Sequence, residues 1–335
     1  MSNYSHALIS VIIPIYNQEM YLGLCAHSLF KQTLDNIEYI FIDDGSEDHS
    51  IEVLDSVLKN YPEREHQVKK IILSHNKGVA TARQIGIENA TGKYIIHCDS
   101  DDWINNDMYE RLYLKAQETN ADVVGCNFRH EFTDIQYDFH QQYGKTMEEN
   151  ISRLINGSIF PSLCTSLTRR SLILENGISF PEGLNMGEDL FFNLQIYLHA
   201  KKIVSMDWAP YHYRHTSNSS CVQRTRKSID SDIAIAGEIE KLMREGKLYE
   251  KYAKDIEYRK FFSKLPLIND LNNISHYKEW LNIYPETNKN IWRYDQIDWK
   301  QKIELWFAAM GMLQVAKAFH NLMKYQHIIR HNLLK

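Results

Sequence analysis

The stretch Lys93-Tyr94-Ile95-Ile96-His97-Cys98 runs straight into Asp99-Ser100-Asp101-Asp102. An apolar run of this kind reads as a buried strand, and it delivers three carboxylates within four residues. Like charges that close repel one another unless a cation or hydrogen-bond donors sit among them. All-oxygen ligands suit a hard ion, Mg²⁺ or Mn²⁺. Mg²⁺ is usually held by one or two carboxylates together with substrate phosphates. The segment is therefore expected to bring a metal and a diphosphate together. Cap chemistry is the bland alternative, since Asn105-Asn106-Asp107 precede a helical stretch from Met108. A calcium-binding EF-hand loop is excluded: Asp99, Asp101 and Glu110 fall on ligand positions, but Trp103 and Ile104 stand where a ligand and an obligatory Gly are needed.

Other polar clusters accompany this one. Phe41-Ile42-Asp43-Asp44-Gly45-Ser46 looks like a hairpin turn, yet the residues after it have helical spacing. Two carboxylates between a strand and a helix can accept hydrogen bonds from a nucleobase N–H or ribose hydroxyls; a capped turn is the competing account. Asn76-Lys77-Gly78-Val79-Ala80-Thr81-Ala82-Arg83 opens a helix with small residues, which let a backbone approach closely, and Arg83 suits a phosphate or an acidic neighbour. No GxxxxGK[ST] loop is present there, so a diphosphate would need a metal to neutralise it. Asn185-Met186-Gly187-Glu188-Asp189 places two carboxylates at a helix start. Favourable helix-end charge would explain them, but the apolar residues that follow would hold Asp189 at a cleft edge. His212 and His215 read as packing or surface residues, either of which could complete a metal's coordination.

Positioning these groups requires an alternating scaffold. Strands are expected over Leu8–Ile13, Ile37–Ile42, Val68–Leu73, Lys93–Cys98 and Ala121–Asn127, with helices over Glu19–Gln32, Glu47–Asn60, Val79–Asn89 and Asp107–Glu118. That alternation predicts βαβ units and a mostly parallel sheet flanked by helices. Ligands bind such sheets outside the carboxyl ends of the strands. Tyr16-Asn17, Asp43-Asp44 and Asp99 to Asp102 all fall there. After Gln136 the pattern loosens, with a helix over Gly187–His199, a short strand over Ile203–Trp208 and a loop over Ser217–Ser220. Beyond Ser228 only helices and loops are read, which predicts a first domain over 1–225 and a helical region over 226–335.

Composition narrows the function classes. With 335 residues, 44% of them apolar, the chain can bury a sizeable core and more than one domain. A net charge of −5 gives no footprint for nucleic acid. Five cysteines without CxxC spacing argue against a disulfide framework and fit a cytoplasmic protein. No signal peptide and no bilayer-spanning apolar run are visible. The last segment, Trp299 to Lys335, is basic and amphipathic. It reads either as a helix packed on the main domain or as a peripheral contact to anionic lipid at the inner membrane face.

The ordered set Ser10-Val11-Ile12-Ile13-Pro14-Ile15-Tyr16-Asn17, Asp43-Asp44-Gly45-Ser46, Asn76-x-Gly78 through Arg83, Asp99-Ser100-Asp101-Asp102 and Glu188-Asp189 resembles the family 2 glycosyltransferases. The resemblance covers roughly Leu8 to Ser220 and implies the GT-A fold. It further implies metal-dependent, inverting transfer of a sugar from a nucleotide-sugar, with a UDP-sugar the expected donor, to a glycan or lipid-linked acceptor hydroxyl. Asp44 resembles the base-binding Asp, Asp99 and Asp101 the DxD pair, and Asp189 the catalytic base, with Glu188 the next candidate. Pro14, Tyr16, Asn17, Asp43, Asn76, Gly78, Arg83 and Ser100 fall in donor-binding motifs. Asp101 or Asp102 would lie nearest Mn²⁺ or Mg²⁺. Gln84 departs from the family's frequent Asn. Two other readings compete: a catalytically silent nucleotide-sugar-binding module, and a nucleotidyltransferase. The second would need a Gly-rich basic loop where Pro14-Ile15-Tyr16-Asn17 stand.

Overall fold

A computed structural model describes residues 7–215, 225–268 and 274–322. The chain divides at Thr225/Arg226 into two compact units.

The first unit alternates as its apolar runs require: β1 (Ile9–Ile15), α1 (Leu22–Phe30), β2 (Ile37–Asp43), α2 (Ser50–Leu58), β3 (Val68–Ile72), α3 (Val79–Asn89) and β4 (Tyr94–His97). β1, β2 and β4 are buried almost throughout, because helices cover both faces of a parallel sheet. α3 lies close on the sheet through small residues; a Cβ on Gly86 would come within 2.3 Å of the Ile12 side chain. Ile9, Val11, Leu29, Phe30, Tyr39 and Phe41 belong to the main core.

Next come β5 (Trp103–Ile104), α4 (Met108–Thr119), β6 (Val123–Glu131), β7 (Gln136–Phe139), α5 (Met147–Ile155), β8 (Ser166–Arg169), α6 (Arg170–Glu175), α7 (Glu188–His199) and β9 (Ile203–Arg214). The strands form one sheet in the order β3-β2-β1-β4-β8-β6-β9-β5, with β7 on β6. Pairing is parallel from β3 to β4. Beyond that the sheet is mixed: β8 runs antiparallel between β4 and β6, and β9 lies parallel to β6. β6 is therefore not a further βαβ strand beside β4; it folds back through a hairpin into β7. β9 extends six residues past Trp208, the end read from the sequence. Its Pro210 cannot donate to a ladder, and the irregularity opposite Cys126–Phe128 absorbs it. Residues 217–220, read as a loop, lie outside the described residues.

The second unit holds α8 (Arg226–Glu245), α9 (Tyr249–Lys264), α10 (Ile274–Asn282), α11 (Trp299–Ala309) and a helical segment over 313–322, around Phe261, Trp280, Tyr294 and Leu305. No described helix is long and apolar enough to cross a membrane.

Candidate active site

Parallel register brings the ends of three strands to one edge: Ile15 lies beside Asp43, and Ile12 beside His97. Tyr16-Asn17, Asp44 and Asp99 to Asp101 therefore emerge together. They line a cleft of about 600 Å³, closed opposite by the start of α7 and by aromatic residues near β6 and β9. Of the donor-binding candidates, Pro14, Tyr16, Asn17, Asp44, Asn76, Gly78, Arg83, Asp99, Ser100 and Asp101 line it.

Asp43 does not line the cleft. Its Oδ1 accepts from the Ser46 N–H at 3.0 Å, the local bond of a capped turn. Asp44 is buried at the cleft wall and accepts from the Lys77 N–H at 2.7 Å and the Gly78 N–H at 2.8 Å. It thereby fixes the Asn76-Lys77-Gly78 turn, while each oxygen keeps capacity for a further donor. Gly78 is required twice: its φ is +91°, and a Cβ would meet the Asn185 side chain at 2.4 Å. Asn17, itself at φ +53°, accepts from the Glu47 N–H at 2.9 Å and ties the loop after β1 to the loop after β2.

Arg83 is buried between two carboxylates. Its guanidinium donates to Asp99 at 2.8 Å and to Glu188 at 2.7 Å, joining α3, the end of β4 and the start of α7. Burial raises the Glu188 carboxyl's pKa against the pull of Arg83. Asp101 has its pKa raised to about 6, by burial first and by the neighbouring Asp99 second.

Asp102 stands apart from that pair. It is buried, and its carboxylate accepts from the Tyr211 hydroxyl and from the Arg214 N–H, the latter at 2.7 Å. It is not a cleft residue, because both oxygens are engaged by β9. The histidines are also held elsewhere. His212 stacks on Trp103, with one ring nitrogen 2.7 Å from Glu131 and the other 2.9 Å from Asn105. His215 contacts His130 at 2.6 Å and stacks on Phe132. Neither lines the cleft, and among the described residues no three His, Cys, Asp or Glu side chains form a metal-holding group. A metal completed by Asp102, His212 or His215 is thus not what this arrangement offers. A smaller donor set still fits the hard ion: Asp101 is a desolvated carboxylate facing a cleft, and diphosphate oxygens and water would supply the remaining ligands.

Asp189 lies in the first turn of α7 and lines the cleft. Gly187, at φ +77°, turns the chain into that helix. The helix N-terminus favours the ionised carboxylate. Glu188, bound to Arg83, anchors the same turn and also lines the cleft.

Other residues that shape the site belong to no motif of their own in the sequence. Asn185 packs on Gly78 and accepts from the Ala80 N–H at 3.3 Å; its one sequence signal is its place just before the Glu188-Asp189 pair. Tyr211 and Arg214 brace the acidic segment from β9, with Arg214 Nε donating to the Asp101 carbonyl at 2.8 Å. Phe128, Phe160 and Tyr213 form an aromatic wall. Tyr211, Tyr213 and Arg214 lie beyond Pro210, which interrupts the strand pattern of β9.

The model of Glycosyl transferase family 2 matches residues 10–176. The putative glycosyltransferase EpsH of Bacillus subtilis (strain 168) is 33% identical over 257 residues, which cover 74% of this chain and 73% of EpsH. The crystal structure of S. aureus TarS 1-349 in complex with UDP-GlcNAc aligns over 95% of this chain and 92% of that one, with a TM-score of 0.71 at 21% identity. A mannosyltransferase, PcManGT from Pyrobaculum calidifontis in complex with GDP-Man and Mn²⁺, aligns over 97% and 85%, with a TM-score of 0.53 at 14% identity. At these identities the structures speak for the fold alone, and that fold is GT-A. Taken with the sequence match to EpsH, the ordered motifs on one cleft make this chain a member of the family 2 glycosyltransferases.

Proposed function

We propose that this glycosyltransferase is a metal-dependent inverting enzyme that moves a sugar from a UDP-sugar to an acceptor hydroxyl during assembly of a surface polysaccharide or related glycan, on the cytoplasmic side of the membrane. One observation carries the reading: Asp44, Asp101 and Asp189 line a single cleft from three separate strand and helix ends. UDP-GlcNAc on the structural neighbour supports a uridine donor, and Mn²⁺ on the second supports a metal. Hexosyl and N-acetylhexosaminyl donors are both compatible with the cleft's size.

The chemistry follows from where the charges sit. The loop fixed by Asp44 receives the nucleoside, and Asp44's remaining lone pairs take its donors. Asp101 would hold Mn²⁺ or Mg²⁺, which would supply Lewis-acid stabilisation of the diphosphate's charge. Arg83 keeps Asp99 and Glu188 in place on either side. An acceptor hydroxyl is a poor nucleophile, so Asp189 takes its proton as attack begins. The new bond joins the acceptor oxygen to the anomeric carbon. The bond from that carbon to the diphosphate oxygen breaks, and its electron pair leaves with the nucleoside diphosphate. A single in-line displacement inverts the anomeric centre. Phe160 and Tyr213 line the cleft and offer flat apolar faces to the acceptor, with the buried Phe128 behind them.

The test is nucleoside diphosphate release from a panel of nucleotide-sugars with Mn²⁺, with and without glycan and polyprenyl-linked acceptors. Acceptor-stimulated release that disappears in Asp189→Asn is the expected result. UDP binding without turnover on any donor and acceptor would instead favour a silent binding module.

A further inference from the structure

We infer that the β6–β7 hairpin and the end of β9 form a platform for sugars of a carbohydrate acceptor beyond the one that reacts. The inference deepens the glycosyl transfer proposed above and rests on it. Strand register puts the groups on one face. Phe128 pairs with Phe139 and His130 with Tyr137 across the hairpin. On the other side Phe128 pairs with Tyr211 and His130 with Tyr213. Alternate residues of a strand share a face, so these side chains point the same way. Their rings form an unbroken series. Tyr213 lies 5.9 Å from His130, and His130 lies 4.8 Å from Tyr137. Phe132, just past β6, is 6.0 Å from Tyr137 and stacks on His215 at 3.9 Å. The opposite face is charged and paired: Arg129 binds Asp138, and Glu131 meets His212. The core takes Phe128, and Phe139 and Tyr213 pack against it. Phe132 and Tyr137, by contrast, stay 40% and 48% exposed. Single exposed apolar residues need no explanation, but a contiguous aromatic face marks an interaction surface.

Position and chemistry select the occupant. The acceptor hydroxyl must meet Asp189 inside the cleft, and an acceptor longer than one sugar extends out of it. This face continues a cleft wall, because Phe128 and Tyr213 belong to both. A pyranose ring carries polarised C–H groups on its faces and hydroxyls around its rim. Aromatic faces are negative and take the C–H side. The hydroxyls are left to polar groups, which the platform supplies as the Tyr137 phenol and the imidazoles of His130 and His215. Burial lowers the pKa of both imidazoles, aided in His130 by its neighbour His215, so both are neutral at pH 7. Charge argues against a membrane surface. From Phe128 to His140 the chain carries one arginine, bound to Asp138, against three carboxylates. Anionic headgroups call for the reverse.

The test offers the full chain matched mono- and tetrasaccharides of glucose, galactose, mannose and N-acetylglucosamine, with Mn²⁺ and a panel of UDP-sugars. A tetrasaccharide is expected to show a KM lower than its monosaccharide's by on the order of tenfold. Phe132→Ala/Tyr137→Ala should erase that difference by raising the tetrasaccharide KM. Its kcat and the monosaccharide reaction should stay unchanged, the mark of lost uniform binding. Phe132→Tyr/Tyr137→Phe keeps both rings and should keep the low KM. Urea unfolding and UDP titration of the variants report the fold and the donor site separately. Equal KM values for tetrasaccharide and monosaccharide, or a tetrasaccharide KM unmoved in the alanine variant, overturn the proposal. Saturation-transfer NMR with the same sugars on Asp189→Asn separates the platform from the reaction. Tetrasaccharide contact that Phe132→Ala/Tyr137→Ala weakens, without UDP release by the native chain, would sustain the platform and sink the transferase reading. Contact with no tetrasaccharide overturns the platform. So does sedimentation showing a dimer that the alanine variant dissolves, because the face would then bury against a second copy.

Discussion

Three carboxylates that look alike in the sequence have separate duties. Asp99 is tied to Arg83, Asp101 faces the cleft, and Asp102 is locked under Tyr211 and Arg214. Nothing in Asp99-Ser100-Asp101-Asp102 distinguishes them, because the side-chain direction depends on β9, more than a hundred residues later. Substitution should separate them. Asp101→Asn is expected to abolish most of the gain that Mn²⁺ gives to UDP affinity, measured by calorimetric titration. Asp102→Ala leaves the Tyr211 hydroxyl and the Arg214 N–H without their acceptor and should cost about 1–3 kcal/mol of stability in urea unfolding. If both variants lose only metal-assisted affinity, the division drawn between them is wrong. Asp189→Asn preserves shape and removes the base. It should lower turnover by on the order of 10² to 10⁴, with UDP binding little changed. Retention of most turnover would remove Asp189 from the role, and Glu188, clamped by Arg83, would then need a mechanism of release. The donor half of the site was readable because each motif follows a strand. The aromatic wall was not, since Phe128 and Phe160 look like any other core residue until the hairpin turns back.

The elements divide at β4. Up to that strand, local apolar runs and turns fix each unit next to its neighbour, and the boundaries read from the chain fall within a few residues of those observed. After it, β6, β8 and β9 pair across long separations in both directions, which no local period encodes. β4 carries one consequence that a strand pattern hides. His97 occupies an apolar slot, edge-on to Phe180 and Phe192, and neither ring nitrogen has a hydrogen-bond partner among the described residues. Burial, and Arg83 second, hold its pKa well below the ordinary 6.5. Below that pH the unfolded chain gains a proton that the folded chain refuses. The unfolded state then binds more protons, so stability is full above about pH 6.5 and falls with acid, by up to about 1.4 kcal/mol per pH unit. His97→Phe should flatten this slope between pH 6.5 and 5 in urea unfolding monitored for the first unit. An unchanged slope would mean that other groups dominate the acid limb.

On the scale of the whole chain, each unit has its own interior. The first is a sheet core around Ile9, Val11 and Tyr39; the second is a helical core around Phe261, Trp280 and Tyr294. The second was legible only as helices and loops, and one reason is chemical. Lys264 is buried, and its three N–H donors are shared among the carbonyls of Trp280, Ile283 and Tyr284 and the Asn288 side chain, closing the end of α10. Hydrophobic patterning cannot find a core whose centre holds a lysine. The division also makes a prediction about function. Every residue lining the cleft lies between Pro14 and Tyr213, inside the first unit. Residues 1–225 produced alone should therefore fold cooperatively and bind UDP with Mn²⁺ within a factor of about three of the full chain's affinity. Turnover on a soluble acceptor should survive with it. A fragment that folds but no longer binds UDP would show that the cleft depends on residues 226–335. One that fails to fold would show that the two cores are not independently stable.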